Sequence, residues 1–266
     1  MSERERLLAL QRILLPSALP KIGCTEAAAG YRAHNHDLHV GGDWYDLVDL
    51  EADNRIVAIV GDVVGHGVEQ IAVMGQLRAA SNALARSCER PHELLAALDG
   101  FARDVRGAAM ATLVVLAIDG TTTARLASAG HLPPLHVTTD GALHIIEAGR
   151  RPPLTIEGRS ATATFTFTVG DVIVLYTDGV VERRGAAIDD GIAALGRFIR
   201  ERRHFPCGDL VTAILDDFGT DADDDMAVMA LRPLHQRSAD YQFAHRHTPE
   251  LDAGTPEADM APSDGG

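Results

Sequence analysis

The sequence predicts an α+β protein, in which two blocks of helices flank a run of short strands. Residues 111–176 carry short apolar runs separated by Gly, Asp and Pro turns, which is typical of antiparallel strands. Before and after this stretch, apolar residues recur at spacings of three and four, the period of an amphipathic helix. Because helices and strands are segregated along the chain, the pattern disfavours a doubly wound βαβ repeat.

The first predicted element is an amphipathic helix over residues 3–15 that ends at Pro16. It places Leu7, Leu10 and Leu14 on one side, so it either packs on the domain or pairs with a second copy of the chain. The later elements are strands at 47–50 and 55–60, helices at 68–86 and 91–105, strands at 111–118, 123–129, 135–138, 143–147, 161–169 and 172–176, helices at 190–203 and 207–218, and a strand at 226–231.

Composition narrows the class of protein. The 266 residues carry 38 acidic and 24 basic side chains, a formal net charge of −14, and 46% are hydrophobic, so the chain can bury a core. An acidic chain repels polyanions, so neither nucleic acid nor membrane is an expected partner. The chain has three widely spaced cysteines and no CxxC pair. It also lacks a signal-peptide pattern and an apolar run long enough to cross a membrane. These features favour a soluble cytoplasmic protein.

The last segment of the chain differs in character. Residues 235–266 hold six acids and two arginines, a net −4, with almost no apolar periodicity. We therefore expect a disordered acidic tail at 234–266, with a solvated role favoured over partner binding. The predicted organisation is a helix at 1–16, a folded domain at 17–233 and this tail.

Four short segments place aspartate beside glycine or another aspartate at the end of an apolar strand. A lone strand-end Asp is usually a turn former or a helix cap. Four of them, with glycines that permit close backbone approach, favour a site for hard cations such as Mg²⁺ or Mn²⁺, since bound dications would relieve the repulsion between carboxylates. The chemistry indicated is a two-metal site that activates water and holds a phosphoryl group. The segments are GGDWYD (41–46), GDVVGHG (61–67), YTDG (176–179) and DDDM (223–226).

These segments, with SAGH at 128–131 between them, closely resemble the SpoIIE/RsbU branch of the metal-dependent protein phosphatases (the PPM or protein phosphatase 2C superfamily). The resemblance covers residues 10–232, with five motifs in the family order. It implies a four-layer α-β-β-α sandwich of two antiparallel sheets flanked by helices, with the phosphatase domain at 17–233.

The resemblance also implies residue roles. Asp43 and Asp62 look like the catalytic carboxylates between two Mn²⁺ or Mg²⁺ ions, and the Val63 carbonyl looks like a further ligand. Asp178 and Asp224 look like ligands of the second ion. Asp46, Gly179 and Asp225 are expected to support these ligands, and Asp46 acts either through water or by orienting its loop. The reaction implied is direct attack of metal-activated water on phosphoserine or phosphothreonine.

Family members typically act on phosphorylated STAS-domain anti-anti-sigma proteins and so release a sigma factor by partner switching. The resemblance therefore implies such a substrate, with homodimerisation through the N-terminal helix as a further expectation. The alternative is a catalytically weak binding or regulatory module of the same fold. His66 departs from the DGH spacing of eukaryotic members, so no acid role is carried over to it, and the phosphate clamp stays unassigned.

Two other motifs have structural interpretations that are favoured over a functional one. Residues 34–39 contain three histidines, of which His34 and His36 share a face of an extended segment, but no fourth zinc ligand is apparent. The segment 150–153, Arg-Arg-Pro-Pro, suits either an acidic partner or a turn before a strand.

Overall fold

The computed structural model describes residues 3–33, 41–120, 122–220 and 224–235. The histidine segment 34–39 and nearly all of the predicted tail lie outside these residues. The helices are α1 (Glu3–Leu14), α2 (Val68–Ala85), α3 (Pro91–Arg103), α4 (Ile188–Glu201) and α5 (Cys207–Phe218). The strands are β1 (Thr25–Arg32), β2 (Trp44–Leu50), β3 (Arg55–Asp62), β4 (Thr112–Asp119), β5 (Thr123–Ala129), β6 (Leu135–Val137), β7 (Leu143–Ile145), β8 (Arg150–Arg151), β9 (Ala163–Thr166), β10 (Val172–Tyr176) and β11 (Met226–Pro233).

The strands form two sheets. The first has the order β1-β11-β10-β6-β7 and is antiparallel throughout. The second has the order β2-β3-β4-β5-β8, with β9 also paired to β5. The short β5–β8 pair is parallel, whereas the other pairs of this sheet are antiparallel.

The sheets pack face to face, with helices on both outer surfaces. Helices α4 and α5 cover the first sheet, and α2 and α3 cover the second. Strand β10 shows how the layers arise: Val172, Val174 and Tyr176 face α4 and α5, whereas Ile173 and Leu175 enter the core between the sheets. The predicted four-layer α-β-β-α sandwich is therefore confirmed.

Helix α1 packs on α2. Leu7 and Leu15 enter the core between these helices and the second sheet, and the Arg78 guanidinium on α2 donates to the Leu14 carbonyl at 2.8 Å. Leu10 and Ile13 on the same helix stay exposed. Among the described helices none is long and apolar enough to cross a membrane.

Two elements differ from the sequence prediction. Strand β1 was not predicted, because its TEAAAGYR sequence lacks a β-branched or alternating apolar pattern, and it is held by pairing with β11. Arg151, predicted to lie in a turn or to meet an acidic partner, instead forms β8. It is buried there, with its guanidinium 3.0 Å from Asp99 Oδ1 and 2.7 Å from the Ile156 carbonyl.

Candidate metal centre

The four aspartate segments meet at one edge of the sandwich. In the second sheet, Trp44 opens β2 opposite Gly61, and Asp62 closes β3 opposite Thr112. In the first sheet, Asp178 follows the end of β10, and the 224–225 pair precedes the start of β11. Because β10 and β11 are antiparallel neighbours, the end of one lies beside the start of the other. Both sheets therefore contribute carboxylates to this edge.

Asp43 is held at the interface of the two sheets. Its carboxylate accepts a hydrogen bond from the Thr177 hydroxyl at 2.6 Å, and the same hydroxyl accepts from the Ala227 amide at 2.8 Å. Asp43 and Thr177 are both buried. This bond connects the segment before β2 in the second sheet with the end of β10 in the first.

The Val63 carbonyl lies against the segment that carries Asp43. The Val63 amide donates to the Gly42 carbonyl at 3.3 Å, and a Cβ on Gly42 would lie 2.5 Å from the Val63 oxygen. Only glycine allows this approach without displacing the neighbouring backbone. The close contact explains the second glycine of the GGDWYD segment.

Burial and mutual repulsion raise the pKa values of three carboxyls at this edge. The pKa of Asp43 is raised well above its usual range, first by burial and then by the charges of Asp62 and Asp178. Burial, with a contribution from Asp224, raises the pKa of Asp62 to about 6, although a hydrogen bond with Asp43 opposes the change. Burial and then Asp62 raise the pKa of Asp178 to about 7.

The two aspartates before β11 have different surroundings. Asp225 is buried, and its carboxylate accepts hydrogen bonds from the Gly41 amide and the Tyr31 hydroxyl. Asp224 is exposed, and its carboxylate accepts from the Asp225 amide at 2.7 Å. Gly179 faces the backbone carbonyls of both, where a Cβ would overlap the Asp225 oxygen. Asp225 and Gly179 thus fix the backbone around Asp178 and Asp224.

The Asp46 carboxylate is directed toward helix α2. It lies 3.2 Å from Arg78 Nε and accepts from Asn82 Nδ2 at 3.0 Å, while its other oxygen accepts from the Leu47 amide at 2.9 Å. Its charge is therefore compensated by α2. These contacts favour the loop-orienting role that the sequence left open for Asp46.

The donor set fits divalent cations. It consists of carboxylate and carbonyl oxygens, which Mg²⁺ and Mn²⁺ prefer, and burial makes the repulsion between the carboxylates costly unless a cation is bound. Over the part of the chain that the structure describes, no three His, Cys, Asp or Glu side chains are grouped so that they could hold a metal ion as they stand. The fit therefore rests on donor chemistry and charge.

Sequence reasoning missed two partners of these carboxylates. Thr177 lies inside the YTDG segment but was not singled out, although a hydroxyl next to a predicted ligand is a natural hydrogen-bond donor. Tyr31 lies on the unpredicted strand β1 and is 194 residues from Asp225, so no local pattern connects them. The pairing of β1 with β11 brings Tyr31 to the site.

A two-sheet sandwich with carboxylates from both sheets at one edge defines the class of the metal-dependent protein phosphatases of protein phosphatase 2C type. The family model described as Stage II sporulation protein E (SpoIIE) matches residues 52–233. The chain belongs to this family. The match includes Asp62, Asp178 and Asp224, whereas Asp43 precedes it.

Solved structures share the fold of this chain. The RsbU and RsbW domains of Rv1364c from Mycobacterium tuberculosis are 31% identical with a TM-score of 0.76, over 83% of this chain and 64% of that one. This chain thus spans less than two thirds of that solved chain. The SiaA-PP2C domain of Pseudomonas aeruginosa is 18% identical with a TM-score of 0.70, over 86% and 94%. The catalytic domain of the phosphatase PstP, solved with two manganese ions, is 13% identical with a TM-score of 0.55, over 79% and 99%.

Proposed function

We propose that this protein is a metal-dependent serine/threonine protein phosphatase. The observation that carries the proposal is the cluster of one buried carboxyl, Asp43, and two partly buried ones, Asp62 and Asp178, whose pKa values are raised by burial and by neighbouring carboxylates. A protein retains such an unfavourable cluster where function requires it. Family membership and the two manganese ions of PstP support divalent cations as the positive charge that would compensate these carboxylates.

The residues that would hold Mn²⁺ or Mg²⁺ are Asp43, Asp62, the Val63 carbonyl, Asp178 and Asp224. The chemistry that two such ions supply is a water of lowered pKa and neutralisation of the phosphoryl charge. The chain's own contribution is orientation: Thr177 holds the Asp43 carboxylate at 2.6 Å, and Gly42 admits the Val63 carbonyl. His66 is exposed and pairs through its backbone with Gly41, so no proton-transfer role is assigned to it.

For the substrate, we propose a phosphorylated STAS-domain protein in a cytoplasmic partner-switching pathway. Support comes from the 31% identity to a protein that contains RsbU and RsbW domains.

We also propose homodimerisation through α1, supported by the exposed Leu10 and by Ile13, which is 77% exposed. We keep 17–233 as the phosphatase domain, although α1 packs on it.

The test is Mn²⁺-dependent hydrolysis of a phosphorylated STAS-domain protein by the wild type and by Asp62→Asn. We expect hydrolysis by the wild type that EDTA abolishes, and a loss of at least about 100-fold in Asp62→Asn, since such a ligand contributes several kcal/mol of transition-state stabilisation. Asp140→Asn is a matched control, because Asp140 lies in the exposed 138–142 turn and bonds to Thr138 and Ala142. Equal, metal-independent rates in wild type and Asp62→Asn would refute the enzyme and favour a binding module.

A further inference from the structure

The SAGH segment, residues 128–131, has no role in the proposed reaction, yet it forms an ordered turn at the same edge of the sandwich. The Ser128 hydroxyl donates to the His131 carbonyl at 3.2 Å, and the Gly130 amide donates to the Arg151 carbonyl at 2.8 Å. Gly130 has a φ of +66°, and a Cβ there would lie 2.5 Å from Pro153. Serine and glycine thus fix the backbone of His131.

The His131 ring joins the two sheets. His131 follows β5 of the second sheet, and its Nε2 lies 3.1 Å from the carbonyl of Tyr176, the last residue of β10 in the first sheet. Its Nδ1 lies 2.8 Å from the hydroxyl of Thr112, the first residue of β4. A carbonyl can only accept, so Nε2 carries the proton and donates to Tyr176. In the neutral ring Nδ1 then accepts from Thr112.

The environment of the ring keeps it neutral. His131 is 3% exposed, and burial lowers its pKa to about 4 although the bond to Tyr176 opposes the change. Both nitrogens are therefore used, one as donor and one as acceptor, and the ring has one stable orientation. A neutral imidazole in this place adds no charge to the neighbouring carboxylates.

Both atoms that His131 holds are adjacent to proposed ligands. Thr112 is the cross-strand partner of Asp62, and Tyr176 precedes Asp178 by two residues. Asp62 belongs to the second sheet and Asp178 to the first, so their separation depends on how the sheets are placed at this edge. The imidazole fixes that placement with two hydrogen bonds on a rigid ring.

We propose that His131 is a positioning residue of the metal centre, which holds the Asp62 and Asp178 carboxylates at a fixed separation through Thr112 and Tyr176. The inference rests on the proposed function, because it takes Asp62 and Asp178 as ligands. Residues that orient ligands typically change metal affinity by about 10- to 100-fold when they are replaced. His131 thus affects affinity without contacting the metal.

The experiment measures Mn²⁺ binding to the purified protein by isothermal titration calorimetry, beside thermal melting in EDTA. His131→Gln is expected to raise the Kd by about tenfold or more. Thr112→Val, which removes one bond, is expected to raise it by about fivefold, the factor that corresponds to ~1 kcal/mol. Thr112→Ser keeps the hydroxyl and is expected to restore the Kd to within about twofold of wild type.

His136→Gln is the matched control. His136 is also a buried histidine with a paired nitrogen, 2.9 Å from Asp171 Oδ2, but Asp171 lies at the opposite end of β10 from Asp178. Five strand residues, about 16 Å, separate the two ends. We expect this variant to melt at a lower temperature and to bind Mn²⁺ as the wild type does.

The outcomes separate this inference from the proposed function. If the Kd of His131→Gln lies within twofold of the wild-type Kd, the positioning role is overturned, whatever the melting temperature. In that case, the loss of Mn²⁺ binding in Asp62→Asn would still support the proposed metal centre. If His131→Gln fails to fold, Thr112→Val decides the question, and an unchanged Kd there overturns the role. Wild-type protein that binds no Mn²⁺ refutes the metal centre, and the inference with it.

Discussion

The raised pKa of Asp178 predicts that this carboxylate destabilises the protein in the absence of metal. Burial and then the neighbouring charges raise the pKa from its usual 3.8 to about 7. The protonated form is therefore favoured in the folded state, so the contribution of the group to stability is complete below pH ~3.8 and is lost as the pH rises through about 7. In EDTA at pH 8, replacing the carboxylate by an amide should stabilise the fold.

The magnitude follows from the size of the pKa change. At about 1.4 kcal/mol per pH unit, a rise from 3.8 to about 7 corresponds to at most ~4 kcal/mol. Asp178 is only partly buried, and solvent screening reduces the effect to about 1–2 kcal/mol. We expect Asp178→Asn to gain this amount over wild type at pH 8 in EDTA, and the gain to shrink toward pH 4.5.

Urea unfolding followed by the fluorescence of Trp44 measures the effect, because Trp44 is the single tryptophan and is fully buried. Adding Mn²⁺ should reverse the order of stability of the two proteins. Mn²⁺ at 100 times its Kd stabilises the wild type by about 2.7 kcal/mol, whereas the variant lacks one of the carboxylates proposed to bind the ion. Asp178→Asn that is less stable than wild type in EDTA at pH 8 would refute the reasoning, because the carboxylate would then have a compensating partner.

Asp171→Asn is the control of opposite sign. Burial acts to raise the pKa of Asp171, but hydrogen bonds from Thr168, His136 and Thr139 outweigh it and hold the pKa below its usual range. The Asp171 carboxylate therefore stabilises the fold above its unfolded-state pKa, and this stabilisation is lost as the pH falls through its folded-state pKa. We expect this variant to lose stability at pH 8, equally in EDTA and in Mn²⁺.

Two further predictions concern packing and ion pairing and not the proposed ligand atoms themselves. In Gly61→Ala the new methyl group would overlap the buried indole of Trp44, so we expect the free energy of unfolding in urea to fall by about 1–3 kcal/mol. Gly208→Ala is the control, because its methyl group meets open space, and it should be as stable as wild type. Equal stability of the two variants would contradict this prediction. Arg151→Met leaves the buried Asp99 carboxylate without the Arg151 guanidinium, so we expect the free energy of unfolding to fall by about 3 kcal/mol. The Mn²⁺ Kd should be unchanged. Altered Mn²⁺ binding would show that this ion pair belongs to the site.

Most of the fold could be predicted because its central strands have strong local patterns. All five residues of β10 are buried, and the sequence there is a continuous apolar run. Strand β1 could not be predicted, since its sequence has low strand propensity and its place depends on β11 far along the chain. Gly30 within β1 allows α5 to pack closely, where a Cβ would lie 2.9 Å from the Val211 side chain. That contact leaves no local signal.

Sequence patterns identified which aspartates reach the edge but not how each is compensated. Asp46 and Asp225 have the same local appearance as Asp43 and Asp178, a carboxylate at a strand end near glycine. Folding places Arg78 Nε 3.2 Å from the Asp46 carboxylate, and this partner lies 32 positions along the chain, where no local pattern indicates it. Asp225 receives an amide and a hydroxyl from segments far along the chain.

The difference between these aspartates lies in what each one faces. Asp46 faces a cation, and Asp225 faces two hydrogen-bond donors, so both charges are compensated within the protein. Asp43, Asp62 and Asp178 face one another, and the Thr177 hydroxyl is too weak a partner to offset one buried and two partly buried carboxyls. Because the repelling carboxyls come from different sheets, a cation between them would also hold the two sheets together at this edge. Metal affinity and the packing of the two sheets at this edge are therefore linked, and a substitution that separates the sheets there should weaken metal binding.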